Sequence, residues 1–294
     1  MRVLVAGATG VLGTEIVRRL CLLGHTVRAL VRGTSSPEKV SRLEQLGASV
    51  VQGDLKDSAS LTTACRGVQA VISTVSIIGT AQPGDSFNAT DNAGTKNLID
   101  AARAEGAQHF VFISFDTTVV PDCPLTRAKQ DVEDHLTRSG LTYTILHPSL
   151  FMESWLGPYL FADPNAGTAK VYGAGTKKIR YIAMANVAEL AVQSLTVPQA
   201  RNAAIPFGGP EELSQRDALR IFEEVYGKPF AVTEVPEEAL EHAWRSAEDP
   251  FQKTFSALML GVARGLDSGM QPPYESFPME LGTVRDFVRR GAGR

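Results

Sequence analysis

The 294-residue sequence predicts an α/β fold, a doubly wound parallel sheet followed by a smaller, mostly helical C-terminal lobe. Three observations predict it. The first 32 residues read as strand, glycine loop, helix and strand. Short apolar runs then alternate with helical patterns as far as Pro148, the mark of a parallel sheet covered on both faces. Past Pro148 that rhythm stops, and the chain turns to aromatic, Gly and Pro residues and then to helices.

The opening unit sets the pattern. An apolar run over residues 1–6 leads into Gly7-Ala8-Thr9-Gly10-Val11-Leu12-Gly13 and a helix over 14–23, stopped by Gly24-His25. A second strand over 26–31 ends at Arg32. In such a loop the first glycine permits the turn, the second lets a pyrophosphate reach the backbone, and the third seats the helix on the strand. The N–H groups at the helix start then face the phosphates. The other reading of this loop is a tight turn without a ligand.

The elements that follow repeat the unit. A helix over 37–46 has Ser36 as cap and Pro37 in its first turn. Strands are expected over 48–52, 69–74, 108–113 and 141–146, with helices starting at Asp57 or Ser58, spanning 87–105 as one long helix, and spanning 124–138. Residues 151–175 read as an irregular lobe, 179–183 as a strand, and 187–195 as a helix capped by Asn186. Extended chain at 203–207 precedes a helix over 214–226 with a Ser214…Asp217 capping box and Gly227 as its stop. Another extended run covers 230–235, and the remainder is mainly helical. Residues 1–150, with part of 176–210 returning to them, form the expected nucleotide-binding domain, and 151–294 the smaller lobe.

Bulk properties narrow the function classes. With a net charge of -3 the chain is not strongly basic, so nucleic acid is not an implied partner. No apolar run reaches the roughly 18 residues of a membrane span, and the chain enters its first strand without a leader. Cys21, Cys65 and Cys123 make neither a metal-ligand spacing nor a disulfide framework, which points to a reducing cytoplasm and no metal. Cys21 and Cys65 read as helix core residues.

Ligands of open α/β sheets bind beyond the carboxyl ends of the strands, so the strand exits hold the candidates. Arg32 occupies the place where an acidic residue would select NAD(H), and a guanidinium there suits the 2′-phosphate of NADP(H); a solvated arginine is the alternative. Lys39 is a second candidate phosphate contact. Asp54, followed by Leu55, either accepts from the adenine amino group or caps the next helix. Ser73, Thr74, Val75 and Ser76 are small enough to lie along ribose and pyrophosphate. Asn97 either bonds at the strand ends or faces solvent. Ser114 closes the fifth strand, and His147, Pro148 and Phe151 follow the sixth, Phe151 as a floor for the nicotinamide and His147 as a donor or a structural histidine. Lys129 either points at the nicotinamide ribose and supplies a proton, or is a surface lysine; spacing alone favours the surface.

Several stretches carry a resemblance. They are Gly7-Ala-Thr-Gly-Val-Leu-Gly13, Val31-Arg32, Gly53-Asp54-Leu55, Gly94-Thr-Lys-Asn-Leu-Ile-Asp-Ala-Ala102, Phe110-Val-Phe-Ile-Ser114, Lys129, Gly140-Leu-Thr-Tyr-Thr-Ile-Leu-His-Pro148, Phe151-Met152 and Asn186-Val-Ala188. The chain resembles the atypical short-chain dehydrogenase/reductase superfamily, and within it the NmrA-like branch of isoflavone and quinone reductases and cofactor-sensing regulators. The resemblance implies a Rossmann-type domain binding NADP(H), with Lys129 as the active-site lysine. The superfamily's tyrosine, four residues before that lysine, is Leu125 here, His147 replaces a common arginine, and Asn186 a usual aspartate.

Three functions follow as expectations. The first is an NADPH-dependent reductase passing hydride to a small apolar acceptor such as a quinone or activated alkene, its pocket shaped by the 151–175 lobe. The second is a non-catalytic NADP(H) sensor or assembly factor with a protein partner, which Leu125 favours. The third is a nucleotide-sugar epimerase or dehydratase, which Leu125 disfavours.

Overall fold

The computed structural model describes residues 1–266, 270–272 and 275–293. The chain begins with β1 (Arg2–Ala6), α1 (Val11–Leu22), β2 (Thr26–Val31), α2 (Pro37–Gln45), β3 (Ser49–Gln52), α3 (Ser58–Cys65) and β4 (Ala70–Ser73). A π-helical segment, Phe87–Gly94, leads into α4 (Thr95–Ala104), followed by β5 (His109–Ile113), α5 (Pro124–Arg138) and β6 (Thr142–Pro148). Next come α6 (Met152–Trp155), β7 (Ala162–Asp163), β8 (Thr168–Tyr172), β9 (Lys178–Ile179), α7 (Met184–Gln193) and β10 (Ala203–Phe207). Then follow β11 (Leu213–Ser214), α8 (Gln215–Tyr226), β12 (Ala231–Val235), α9 (Glu237–Ser246), α10 (Pro250–Arg264) and α11 (Val284–Ala292).

Seven strands form one sheet in the order β10-β6-β5-β4-β1-β2-β3. The order reverses beside β1, which pairs in parallel with β2 on one edge and β4 on the other. That reversal opens a crevice at the carboxyl ends of β1 and β4, where α/β sheets take their ligands. β4 and β5 are buried along their whole length, as strands covered on both faces must be. Val71, Phe110, Phe112 and Ile145 pack there with Leu98, Ile99, Val132 and Leu136 from the helices.

The chain divides into two compact units. The first comprises Met1–Ser114, Arg127–His147 and Val187–Ile205. The second comprises Phe115–Thr126, Pro148–Asn186 and Pro206–Arg294. In the second, β12-β8-β7 make a three-stranded sheet, and Phe161, Phe222 and Phe230 meet edge to face in the core. Its helix α8 carries the expected capping box of Ser214 and Asp217 and ends at Gly227 in the left-handed region.

Four expectations need correction. The long helix at 87–105 is two elements, because residues 87–94 wind in a wider π turn. That turn seats Asp91 Oδ2 3.3 Å from the Ile77 N–H and lays Gly94 so close to Leu55 that a Cβ would come within 2.8 Å of its side chain. Asn186 does not cap α7. The Glu153 carboxylate caps it instead, accepting from Met184 N at 3.0 Å, so the helix starts earlier and Asn186 falls in its first turn. There Asn186 donates to Glu280 O at 2.7 Å and accepts from Gly282 N at 3.2 Å. The strand expected at 179–183 is confined to Lys178–Ile179, with a single bridge joining Ile182 to Phe151. The region 151–175 is not irregular throughout, since Thr168–Tyr172 pairs in parallel with β12, about 60 residues further on.

Candidate functional site

The first unit gathers most of the predicted residues at the carboxyl ends of its strands. Gly7 leaves β1 with φ +79°, and a Cβ there would strike Thr74 Oγ1 at 2.5 Å. Thr74 holds the turn from the other side, its hydroxyl donating to Ala6 O at 3.2 Å. At Gly13 a Cβ would lie 2.1 Å from Gly7 O, so only glycine lets α1 rest on this loop. A Cβ on Gly10 would meet only Gly7 O, at 3.3 Å, leaving its outer side open. Ala8 is buried and its carbonyl takes the Thr14 hydroxyl; Thr9 is half-buried, and Val11 is 69% exposed. Gly10 is the N-cap of α1 and gives no side-chain cap. The first-turn N–H groups of Val11, Leu12 and Gly13 therefore remain available to an anion.

At the next exits, charges converge on a residue the sequence reading missed. Arg32 Nη1 lies 2.7 Å from Asp85 Oδ2, and Lys56 Nζ 2.7 Å from Asp85 Oδ1. Arg32 is thus paired rather than merely solvated. Lys39 sits exposed in the first turn of α2. Asp54 does not cap α3, which Asp57 does. Its carboxylate accepts from Lys56 N at 2.9 Å and leaves the carboxylate 38% exposed. Asn97 settles on the strand ends, donating to Leu55 O at 3.1 Å. Val75 and Ser76 are half-buried beside Thr74, and Ser73 is fully buried with an unpartnered hydroxyl.

Lys129 is the largest surprise against spacing. It is 5% exposed, not a surface lysine. Its Nζ donates to Ile113 O at 3.0 Å and Val75 O at 3.4 Å, and lies 4.6 Å from the Phe112 ring centre. Burial lowers its pKa, against the opposing charges of Asp91 and Glu133. Ser114 and His147, separate in sequence, meet on Glu133: Ser114 Oγ donates to Glu133 Oε1 at 2.5 Å, and His147 Nε2 lies 2.9 Å from the same oxygen. Glu133 follows Lys129 by one helical turn, and an acidic residue on an amphipathic helix reads as solvated, which hid it.

Pro148 closes β6 and is buried, and half-buried Phe151 begins the turn of α6; both belong to the second unit. Leu125 is buried and offers no hydroxyl. Burial raises the thiol of Cys65 to about 12, an inert core group. Cys21 is only partly buried, because α1 presents it toward the rim of its apolar face. Among the described residues no cluster of three or more His, Cys, Asp or Glu side chains fits a metal ion, and no helix is long and apolar enough to cross a membrane.

Sheet order and glycine turn together define a Rossmann-type fold. The chain belongs to the NmrA-like family, matching it over residues 1–260. It is 32% identical to the photosystem II assembly factor Ycf39 of Synechocystis sp., covering 100% of this chain and 91% of that one. It is 27% identical to the NAD(P)H azoreductase of Xenophilus azovorans, over 99% and 93% of the two chains. Among solved structures, the leucoanthocyanidin reductase–NADPH complex of Vitis vinifera shares its fold with a TM-score of 0.80 at 18% identity, each chain covered in full.

Proposed function

We propose that the chain binds NADP(H) at the strand ends of its first unit and acts as an oxidoreductase on a small apolar acceptor such as a quinone or an activated alkene. The observation that carries this reading is Lys129, a buried cation held by the carbonyls of Ile113 and Val75 beside the glycine turn. Keeping an ammonium there costs solvation, which a structural role does not require. The azoreductase and the NADPH-bound reductase among its relatives support the same class.

The residues divide the work. The open first turn of α1 holds the pyrophosphate, and Arg32 the 2′-phosphate. Thr74, Val75 and Ser76 flank the ribose, and Asp54 accepts from the adenine amino group. Bound nicotinamide supplies the hydride. Lys129 has three N–H donors, two of them engaged by carbonyls, and the third orients the ribose hydroxyls. Its depressed pKa makes it a proton donor nearer to neutral pH than an ordinary lysine.

A second reading has its own support. Leu125 removes the usual proton-donating hydroxyl, and the relative at 32% identity is an assembly factor. In this reading NADP(H) is a structural or sensing ligand, and the output is a protein contact. One experiment separates the two: titrate NADPH and NADH, and follow NADPH oxidation against a panel of quinones and enones. Turnover on any member supports the reductase. Tight NADPH binding with no turnover transfers the weight to the assembly reading. Arg32→Asp is expected to move preference toward NADH, and an unchanged preference removes Arg32 from the site.

A further inference from the structure

The loop after β4 contains a carboxylate that the strand-exit reading leaves without a task. Asp85 has a side chain only 1% exposed, yet it lies between two cations that are each about one-third exposed. Both of its oxygens are fully used. Oδ1 accepts from Lys56 Nζ at 2.7 Å and from Thr90 Oγ1 at 3.0 Å. Oδ2 accepts from Arg32 Nη1 at 2.7 Å and from Gln82 N at 3.0 Å. A carboxylate has about four acceptor positions, so none is left for a ribose hydroxyl. Asp85 is therefore not a hidden selector for NAD(H).

The two cations are in the opposite condition. Arg32 has five N–H donors and Lys56 three, and Asp85 engages one from each. Each side chain is about one-third exposed, and Lys56 Nζ also lies 3.8 Å from Asp54 Oδ2. Left alone, two like charges at adjacent strand exits would separate into solvent. The buried carboxylate holds them together from behind. Its own loop is tied to the same place, because Thr34, two residues beyond Arg32, donates its hydroxyl to the Gln82 side chain at 2.6 Å.

We infer that Arg32 and Lys56 form a two-cation clamp for the cofactor 2′-phosphate, and that Asp85 is the positioning residue that sets their spacing. The inference rests on the NADP(H) reading and adds to it a second cation, other than Lys39, and a brace. Asn at position 85 would keep the shape but turn one acceptor into an NH2 group facing a cation's donors. The brace thus predicts that removing a negative charge weakens binding of a negative ligand. Simple electrostatics predicts the reverse.

The test uses the full chain and two probes that differ only in the 2′-phosphate, adenosine 2′,5′-bisphosphate and 5′-AMP, titrated by calorimetry. Lys56→Ala, a change on a partly exposed side chain, is expected to weaken the 2′,5′-bisphosphate about tenfold, the scale of one charge-assisted contact, and to leave 5′-AMP unchanged. Asp85→Asn is expected to weaken the same probe by a similar factor, with the 5′-AMP affinity reporting an intact fold. Tighter or unaltered 2′,5′-bisphosphate binding by Asp85→Asn overturns the brace. Unaltered binding by Lys56→Ala overturns the clamp even if Asp85→Asn fails to fold. If the wild-type chain does not distinguish the two probes, the 2′-phosphate reading itself fails and takes the clamp with it. If it distinguishes them, and Arg32→Ala abolishes the difference while Lys56→Ala leaves it intact, the reading stands and this inference falls.

Discussion

The two ends of β5 each bury one basic side chain, and they treat it differently. At the amino end His109 is 4% exposed, its Nε2 2.9 Å from Thr144 Oγ1. Thr144 gives its own proton to Ala200 O at 2.7 Å, so His109 Nε2 carries the hydrogen and donates. Burial first, and the charge of Arg201 second, lower its pKa to about 4, so it is neutral, with its Nε2–H paired. At the carboxyl end Lys129 is as deeply buried, but its ammonium hangs on carbonyl oxygens with one donor to spare. The contrast teaches that burial alone does not tell a paired group from one with a donor to spare. At one end the ring N–H is matched to a threonine hydroxyl, and at the other an ammonium donor is left beyond the two carbonyls, at the end of the sheet where such folds take their ligands.

The most forceful way to break this contrast is Lys129→Met. Turnover should fall by about 100-fold or more, the scale of one proton-transfer group. The unfolding midpoint should hold or rise, because a desolvated charge is removed. A large loss of stability without loss of turnover would make Lys129 a structural residue like His109. The next effect belongs to His109 and to pH. Below pH 6.5 the unfolded chain protonates this histidine, whereas the folded chain resists until about pH 4. Stability should therefore decline as pH falls through that window, by up to about 3 kcal/mol from this group. In His109→Phe the decline should flatten, as denaturant midpoints between pH 4 and 7 will show.

Thr144→Val is a smaller change at the same end. It leaves the His109 N–H and the Ala200 carbonyl buried without their partner, at about 2 kcal/mol, and should not alter NADPH affinity. The smallest stability effect is expected at Gly10, where the contrast can be inverted. Gly10→Ser supplies the cap that α1 lacks, at an N-cap φ of -78° that serine accepts. It should gain a few tenths of a kcal/mol. NADPH binding should weaken at the same time, because the new hydroxyl occupies first-turn donors. A variant that is both more stable and tighter-binding would remove the α1 terminus from the site.

Much of the fold was readable where its signals are local. The glycine turn needs three glycines in seven residues, α5 runs over the expected residues 124–138, and in the second unit the capping box of α8 is a four-residue pattern. What escaped depends on partners far along the chain. Asp85 lies 53 residues beyond Arg32 in a Gly- and Pro-containing loop that gives no periodic signal. Glu133 joins Ser114 to His147 only once β5, α5 and β6 are in place. β8 is five residues between Gly167 and Gly173, and its partner β12 is distant in sequence. The π turn at 87–94 escaped because it preserves helical composition while changing the winding.

The edge position of β10 bears on how the chain is made. β6 ends at Pro148, and the strand that covers its outer side begins only at Ala203. At ordinary synthesis rates of about 5–20 residues per second, the ribosome needs roughly 3–10 s to deliver it. Through that interval β6, with Ile145 and Leu146, stands as an open strand edge on a nascent chain. Slow translation across 149–202 would lengthen that exposure, and a chaperone that shields strand edges would act there before the sheet can close.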